Sequence, residues 1–286
     1  MTESGGGSAP AGSGHGREGV TRLRDRPIPD LAELFAGGEA RGPIPVAGED
    51  PRGAERLVEV RSLGVAGENR YHAAWNPPYH HSIPGSIPDL LVRESVAHKL
   101  AAINARLAGS GIELFLFDGY RPVAVQNYFY FDWVPKYLRG RHPHRDEEWI
   151  VEQTGRYWAR GARSRAEIAA RTPPHATGGA VDLGLRHADT GQLLEMGTMF
   201  DDISERSRTD HFERHAPGGP SGFTEEEALG NRRLLFHLMH DEGFANHPAE
   251  WWHYTHGDQS WARRRGAPAA FYGYAGPLAG ETLADE

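Results

Sequence analysis

The chain has 286 residues, 38% of them hydrophobic, enough for one main domain with a sizeable core. Asp and Glu (39) outnumber Lys and Arg (31), and the net charge of -8 argues against nucleic acid or an anionic membrane as a partner. There is no cysteine, which excludes disulfides, thiolate ligands and a cysteine nucleophile and leaves the redox compartment open; no apolar run approaches the ~18 residues that cross a bilayer.

The opening stretch, MTESGGGSAPAGSGHG, lacks the basic start and apolar run of a secretory signal, so residues 1–18 are expected as a disordered tail on a cytoplasmic protein. Gly (36) and Pro (20) make up a fifth of the chain, which predicts a loop-rich domain. Residues 19–55 hold one short apolar segment, LAELFAGG, and are expected to wrap the body as an extension; a single domain would then occupy 56–286.

From Pro88 to Leu107, the apolar residues Val92, Val96, Leu100, Ile103 and Leu107 recur at steps of four or three and predict a helix. GIELFLFDGYRP follows as a strand that stops at the turn signal Asp118, Gly119, which puts Arg121 just past a strand end. Residues 146–170 have a helical pattern, with Ile150, Thr154, Tyr157 and Trp158 on one side, and are expected as an ordinary packed helix, the alternative being a wall beside a cleft. A further helix is predicted over TEEEALGNRRLLFHLMHDEG, with a capping box from Thr224 to Glu227 and a stop at Gly243. The run Arg263, Arg264, Arg265 is expected as a solvated patch, the alternative being a specific anion site.

The stretch PPHATGGAVDLGL, residues 173–185, carries the first chemistry. As a strand, its period of two sends Val181, Leu183 and Leu185 to one face and Asp182 to the other, where Ala180 and Gly184 would leave room for a coordinated ion. The pair Gly178, Gly179 lets the backbone bring His175 back to that face. In HPAEWWHYTH, which has the look of an inner strand, Glu250 precedes His253 by three residues. His175, Asp182 and His253 form a donor set that suits zinc and leaves a position for water; Glu250 would take that water's proton, and the Arg121 fork would stabilise an oxyanion. The same donors describe the facial triad of non-haem iron oxygenases, and Glu250 favours hydrolysis. No GxSxG elbow supports a serine hydrolase, and His211, His215, His237 and His240 are expected in surface or packing roles.

Four motifs in order, FDGYRP (117–122), HATGGAVD (175–182), GTMFDDISERS (197–207) and EWWH (250–253), resemble those of the VanX-type D-alanyl-D-alanine dipeptidases, zinc peptidases related to the D-Ala-D-Ala carboxypeptidases and the hedgehog signalling domain. The resemblance covers roughly residues 69–272 and implies an α+β fold, a mostly antiparallel sheet flanked by helices and carrying the zinc site. It also implies one zinc per chain held by His175, Asp182 and His253, with Glu250 as general base and Arg121 as the transition-state arginine. Asp201 would receive the ammonium of a small dipeptide substrate. Pro173 stands where the family usually has a serine and offers neither hydroxyl nor N–H. The activity expected is hydrolysis of D-alanyl-D-alanine or a related D-amino-acid dipeptide; rival readings are a different small amide as substrate, and a zinc-binding module without turnover.

Overall fold

The computed structural model describes residues 13–39, 42–214 and 222–277. Its centre is a five-stranded mixed sheet built from β2 (Ala66–Gly67), β4 (Ile112–Asp118), β5 (Ala180–His187), β6 (Ala245–His247) and β7 (Glu250–Thr255), in the order β2-β4-β5-β7-β6. Only the β2/β4 pair is parallel; β4/β5, β5/β7 and β6/β7 are antiparallel. A small ribbon pairs β1 (Leu57–Glu59) with β3 (Leu91–Arg93). With helices packed around this sheet, the expected α+β architecture holds.

One face of the sheet carries the main core. Val181, Leu183 and Leu185 of β5 meet Val96, Leu100, Ile103 and Leu107 of α3 (Glu94–Leu107) and Leu234, Leu235, Leu238 and Met239 of α9 (Phe223–Asp241). The predicted stripe is therefore real, except that Val92 lies in β3, opposite Val58, so the helix starts at Glu94, two residues after the first residue of its apolar pattern. Strand and helix share a stripe here because both bury the same side.

The opposite face carries a second cluster around Tyr71, Tyr79, Phe129, Trp158 and Ile150. It is supplied by α4 (Val123–Tyr128), a π turn over Phe129–Trp133, α5 (Val134–Arg141) and α6 (Glu147–Tyr157). The helix expected over 146–170 is two: α6 ends at Tyr157, and α7 (Arg165–Ala170) begins only after Ser164 caps it. Gly161 lies in the break, where a Cβ would come 2.2 Å from Asn127 Oδ1.

Residues 1–12 of the expected tail lie outside the described residues, and from Ser13 the chain is helical through Asp25 (α1). Arg24 of α1 hydrogen-bonds Asn231 and pairs with Glu227 at 2.9 Å on α9. Ile28 and, from α2 (Leu31–Glu39), Leu31 and Phe35 pack on Phe236, while Val46 bridges to Ala270. The remaining helices are α8 (His211–Arg214) and α10 (Gln259–Arg265). The capping box does not form: α9 begins at Phe223 after Gly222, with no side-chain cap, while Gly243 takes the expected positive φ of 85° at the other end.

Candidate metal centre

Three consecutive strands place one row of side chains across the sheet. Asp118 faces Asp182, and Asp182 faces His253. The first pairing depends on a register shift between Leu116 and Asp118: Leu116 still opposes Leu183, and the extra residue turns Asp118 to the Asp182 side. His175 arrives from the 3-10 turn Pro174–Thr177, which Gly178 closes at φ 70°. Neither glycine after it tolerates a side chain, since a Cβ would come 2.4 Å from Leu57 Cδ2 at Gly178 and 2.4 Å from the His256 carbonyl oxygen at Gly179.

His175, Asp182 and His253 are buried, and their ligand atoms lie within 4.8 Å of one another. His175 Nε2 is 3.1 Å from His253 Nδ1, His253 Nδ1 is 2.9 Å from Asp182 Oδ1, and His175 Nε2 is 3.3 Å from Asp182 Oδ2. Tetrahedral zinc with ligand bonds near 2.0–2.1 Å has edges of about 3.3 Å, so the three donors already stand at the spacing of one face of that tetrahedron. His175 donates Nδ1–H to the Gly119 carbonyl at 2.8 Å, which leaves the Nε2 lone pair aimed at the centre. Burial would raise the Asp182 carboxyl, but the two histidines hold it well below the usual carboxylate range; burial pushes His253 down to about 4, toward the neutral form that binds metal. The donor set, spacing and tautomer fit a divalent ion.

Glu250 lies three residues before His253, and a flat strand would send the two to opposite faces. The β6/β7 register breaks between Asn246 and His247, and Asn246 Nδ2 donates to the carbonyls of both Glu250 and His253 at 3.1 Å. This bend carries Glu250 Oε2 to within 4.0 Å of His253 Nδ1. Burial, with the charges of Asp182 and Asp201, raises the Glu250 carboxyl well above its ordinary range.

Arg121 is buried, and every branch of its fork is engaged: Nε on Asp118 (2.8 Å), Nη1 on Gln126 (3.1 Å), and Nη2 on the Tyr71 hydroxyl (3.2 Å) and Asp182 (2.9 Å). Its guanidinium lies over the rings of Tyr71 and Trp158, and Trp158 stacks on Phe129 at 4.2 Å. The arginine is thus held from four directions before any substrate arrives.

Asp201 takes a positive φ of 61° and accepts hydrogen bonds from the hydroxyls of Tyr71 (2.9 Å) and Tyr79 (2.8 Å). Burial and the Asp182 charge push it up to about 7. It lines the cleft, whereas the adjacent Asp202 is tied to Ser207.

The cleft has a volume of about 680 Å³, and its walls hold all six residues singled out in the sequence: Arg121, His175, Asp182, Asp201, Glu250 and His253. Residues 155–160, after the middle of α6, form one wall, so the segment expected as a packed helix also borders the site. A second cavity of about 850 Å³ is lined by Trp75, Met199 and Phe223 among others and by none of the six. Pro173 lines the first cleft and spends its carbonyl on Ala176 N–H.

Two expectations from sequence fail locally. The space beside Gly184 is not kept for an ion: a Cβ there would meet Phe117 at 3.1 Å and Trp251 at 3.5 Å, so aromatic rings fill it. The arginine run is not a solvated patch, because Arg265 bonds the His240 and Phe244 carbonyls, Arg263 reaches the Gly42 carbonyl, and Arg264 lines the cleft. The four histidines given surface or packing roles stay out of the centre where described: His237 bonds the Arg26 carbonyl, His240 stacks on Phe236, and His211 lies in α8, while His215 falls outside the described residues.

Sequence reasoning missed Tyr71, Tyr79, Asp118, Gln126 and His247, and gave Arg264 a site only as the lesser alternative. Asp118 carried a usable signal, an acid three residues before Arg121 across a strand end; the tyrosines sit in a Pro-rich loop with no period to mark them. No helix among the described residues is long and apolar enough to cross a membrane.

Comparison with known proteins places these residues in context. Residues 59–268 match the model of the family described as Peptidase_M15, D-ala-D-ala dipeptidase, a span that contains all six. The chain is 35% identical over 158 residues to a D-alanyl-D-alanine dipeptidase of Synechocystis, across 52% of this chain and 62% of the relative, less than two thirds of that protein's length. It is 32% identical over 169 residues to a D-alanyl-D-alanine dipeptidase of Enterococcus faecium (57% of this chain, 72% of the relative). A third, from Enterococcus faecalis, is 29% identical over 197 residues (67% and 85%).

Proposed function

Because the chain belongs to the Peptidase_M15 family of D-Ala-D-Ala dipeptidases, we propose that it is a zinc-dependent dipeptidase acting on D-alanyl-D-alanine or a related small D-amino-acid dipeptide. The observation that carries this reading is the buried triangle of His175, Asp182 and His253 with Glu250 and Arg121 beside it.

Zinc held by His175, Asp182 and His253 would supply Lewis acidity and an acidified water. Glu250 accepts the proton of the attacking water and delivers it to the leaving amine; its raised carboxyl suits a group that must both take and give a proton near neutrality. Arg121 is the donor for the oxyanion that develops on the scissile carbonyl, and its four fixed contacts mean that little reorganisation is needed at that moment. Asp201, steadied by two phenols, pairs with the substrate ammonium and sets the distance from the free amino end to the scissile bond.

A panel of dipeptides of mixed chirality, assayed with zinc present, tests the reading. Turnover of D,D-dipeptides is expected, and inactivity on all of them would sink it; hydrolysis confined to another small amide would favour the alternative substrate. Metal analysis of protein purified without added metal should return zinc, whereas stoichiometric iron would revive oxygenase chemistry. If Glu250→Gln keeps its zinc and full turnover, the assignment of the general base is wrong.

A further inference from the structure

Asp258 caps α10, accepting from Trp261 N–H and the Thr255 hydroxyl at 2.7 Å each, so the helix is locked to the end of β7. The three arginines that end α10 then meet different fates. Arg263 and Arg265 tie down backbone carbonyls, while the Arg264 guanidinium forms no hydrogen bond or ion pair with any described residue. Its Nη1 is nevertheless shut off from solvent, in the wall of the metal-centre cleft. A shielded N–H without an acceptor is costly in a folded protein and points to an absent anionic or carbonyl partner.

Position says which. Asp201 is held by Tyr71 and Tyr79, on the β2/β4 side of the sheet, whereas α10 packs on β6 at the other edge. The donors on β5 and β7 lie between. The Glu250 carboxyl feels the charges of both Asp201 and Arg264, and His247 and His253 feel that of Arg264. His247 lines the same wall, and its Nδ1 accepts the Ala249 N–H at 3.3 Å, which leaves Nε2 as a second donor. A dipeptide whose ammonium meets Asp201 has its other charge, the free carboxylate, on the far side of the scissile bond.

We propose that Arg264 receives the free α-carboxylate of the substrate, an inference that rests on the dipeptidase reading and makes the cleft select for charge at both ends. Chain length is thereby gated: a third residue would bring a neutral amide to Arg264.

The test is binding, without turnover, to zinc-loaded Glu250→Gln protein: calorimetric titration with D-alanyl-D-alanine and with its C-terminal amide, repeated in the Arg264→Gln and Arg264→Lys backgrounds. With Arg264 present the acid should bind at least about tenfold tighter than the amide, as a charge-assisted contact requires. Arg264→Gln should bring the two within about twofold while leaving the amide's affinity unchanged. Arg264→Lys, which keeps the charge and loses the fork, should fall between, and this ordering stands if the Gln variant does not fold. A preference retained in Arg264→Gln, no preference with Arg264 present, or equal weakening of acid and amide would overturn the proposal. Turnover, measured on protein with Glu250 intact, reports separately: selective binding without hydrolysis of any dipeptide would sink the dipeptidase reading alone.

Discussion

Asp118→Asn removes one negative charge from the site at constant size. Asp118 is wholly buried; its Oδ2 accepts Arg121 Nε at 2.8 Å and lies 3.3 Å from His175 Nδ1. Severing a buried ion pair costs about 3–5 kcal/mol, and the asparagine oxygen can recover about 1 kcal/mol as a hydrogen-bond acceptor, leaving a destabilisation of about 2–4 kcal/mol. At about 2–4 °C per kcal/mol for chains of 150–250 residues, the melting temperature should fall by roughly 4–16 °C. A second effect follows from the shared arginine: Arg121, left with Asp182 as its one carboxylate, draws harder on a metal donor, and His175 loses the acid beside its Nδ1. Loss of such supporting contacts typically weakens metal binding about 10–100-fold. Thermal melts and competition against a chromophoric chelator read the two quantities. Stability within about 0.5 kcal/mol of the parent, together with unchanged metal affinity, would refute the view that Asp118 orders this site.

Tyr79→Phe removes a phenol donor 2.8 Å from Asp201 and should raise KM for a dipeptide by about tenfold, in keeping with a hydrogen bond to a charged group. Burial and the Asp182 charge hold Asp201 up to about 7; the variant, missing a bond that favours the anion, should shift the acid limb of kcat/KM to higher pH. The sign is that activity falls as pH drops and Asp201 becomes neutral; a profile identical to the parent's would contradict this. Gly179→Ala puts a methyl 2.4 Å from the His256 carbonyl, where His256 N–H bonds the Gly179 carbonyl at 2.9 Å, and should destabilise by about 2–4 kcal/mol in urea unfolding. Stripping the metal should lower the melting temperature; at a metal concentration 100 times Kd the expected loss is about 2.7 kcal/mol, and His253→Ala should be insensitive to added metal.

The cluster was legible because its signals are local: His175 and Asp182 sit in one stretch of thirteen residues, and His253, with Glu250 three residues before it, in another. Asp201 was reached only through a motif shared with a known family. What stayed hidden was supplied by tertiary placement. Nothing in the loop around Tyr71 and Tyr79 announces that two phenols converge on one aspartate, and the register shift before Asp118 has no signature in IELFLFD. Arg264 misled for a related reason: a basic run is ordinarily solvated, whereas here α10, capped by Asp258, sets Arg263 and Arg264 along the wall of the cleft. Gly184 was open in sequence and filled in space.

The row Asp118, Asp182, His253 also bears on how the chain finds its fold. Side chains alternate in strands, so sliding β7 by one position against β5 would send His253 to the opposite face and dismantle the donor triangle. On the proposed metal reading, only the native alignment would hold the ion, and metal capture would act as a checksum on strand alignment, drawing misaligned molecules toward the right one by mass action.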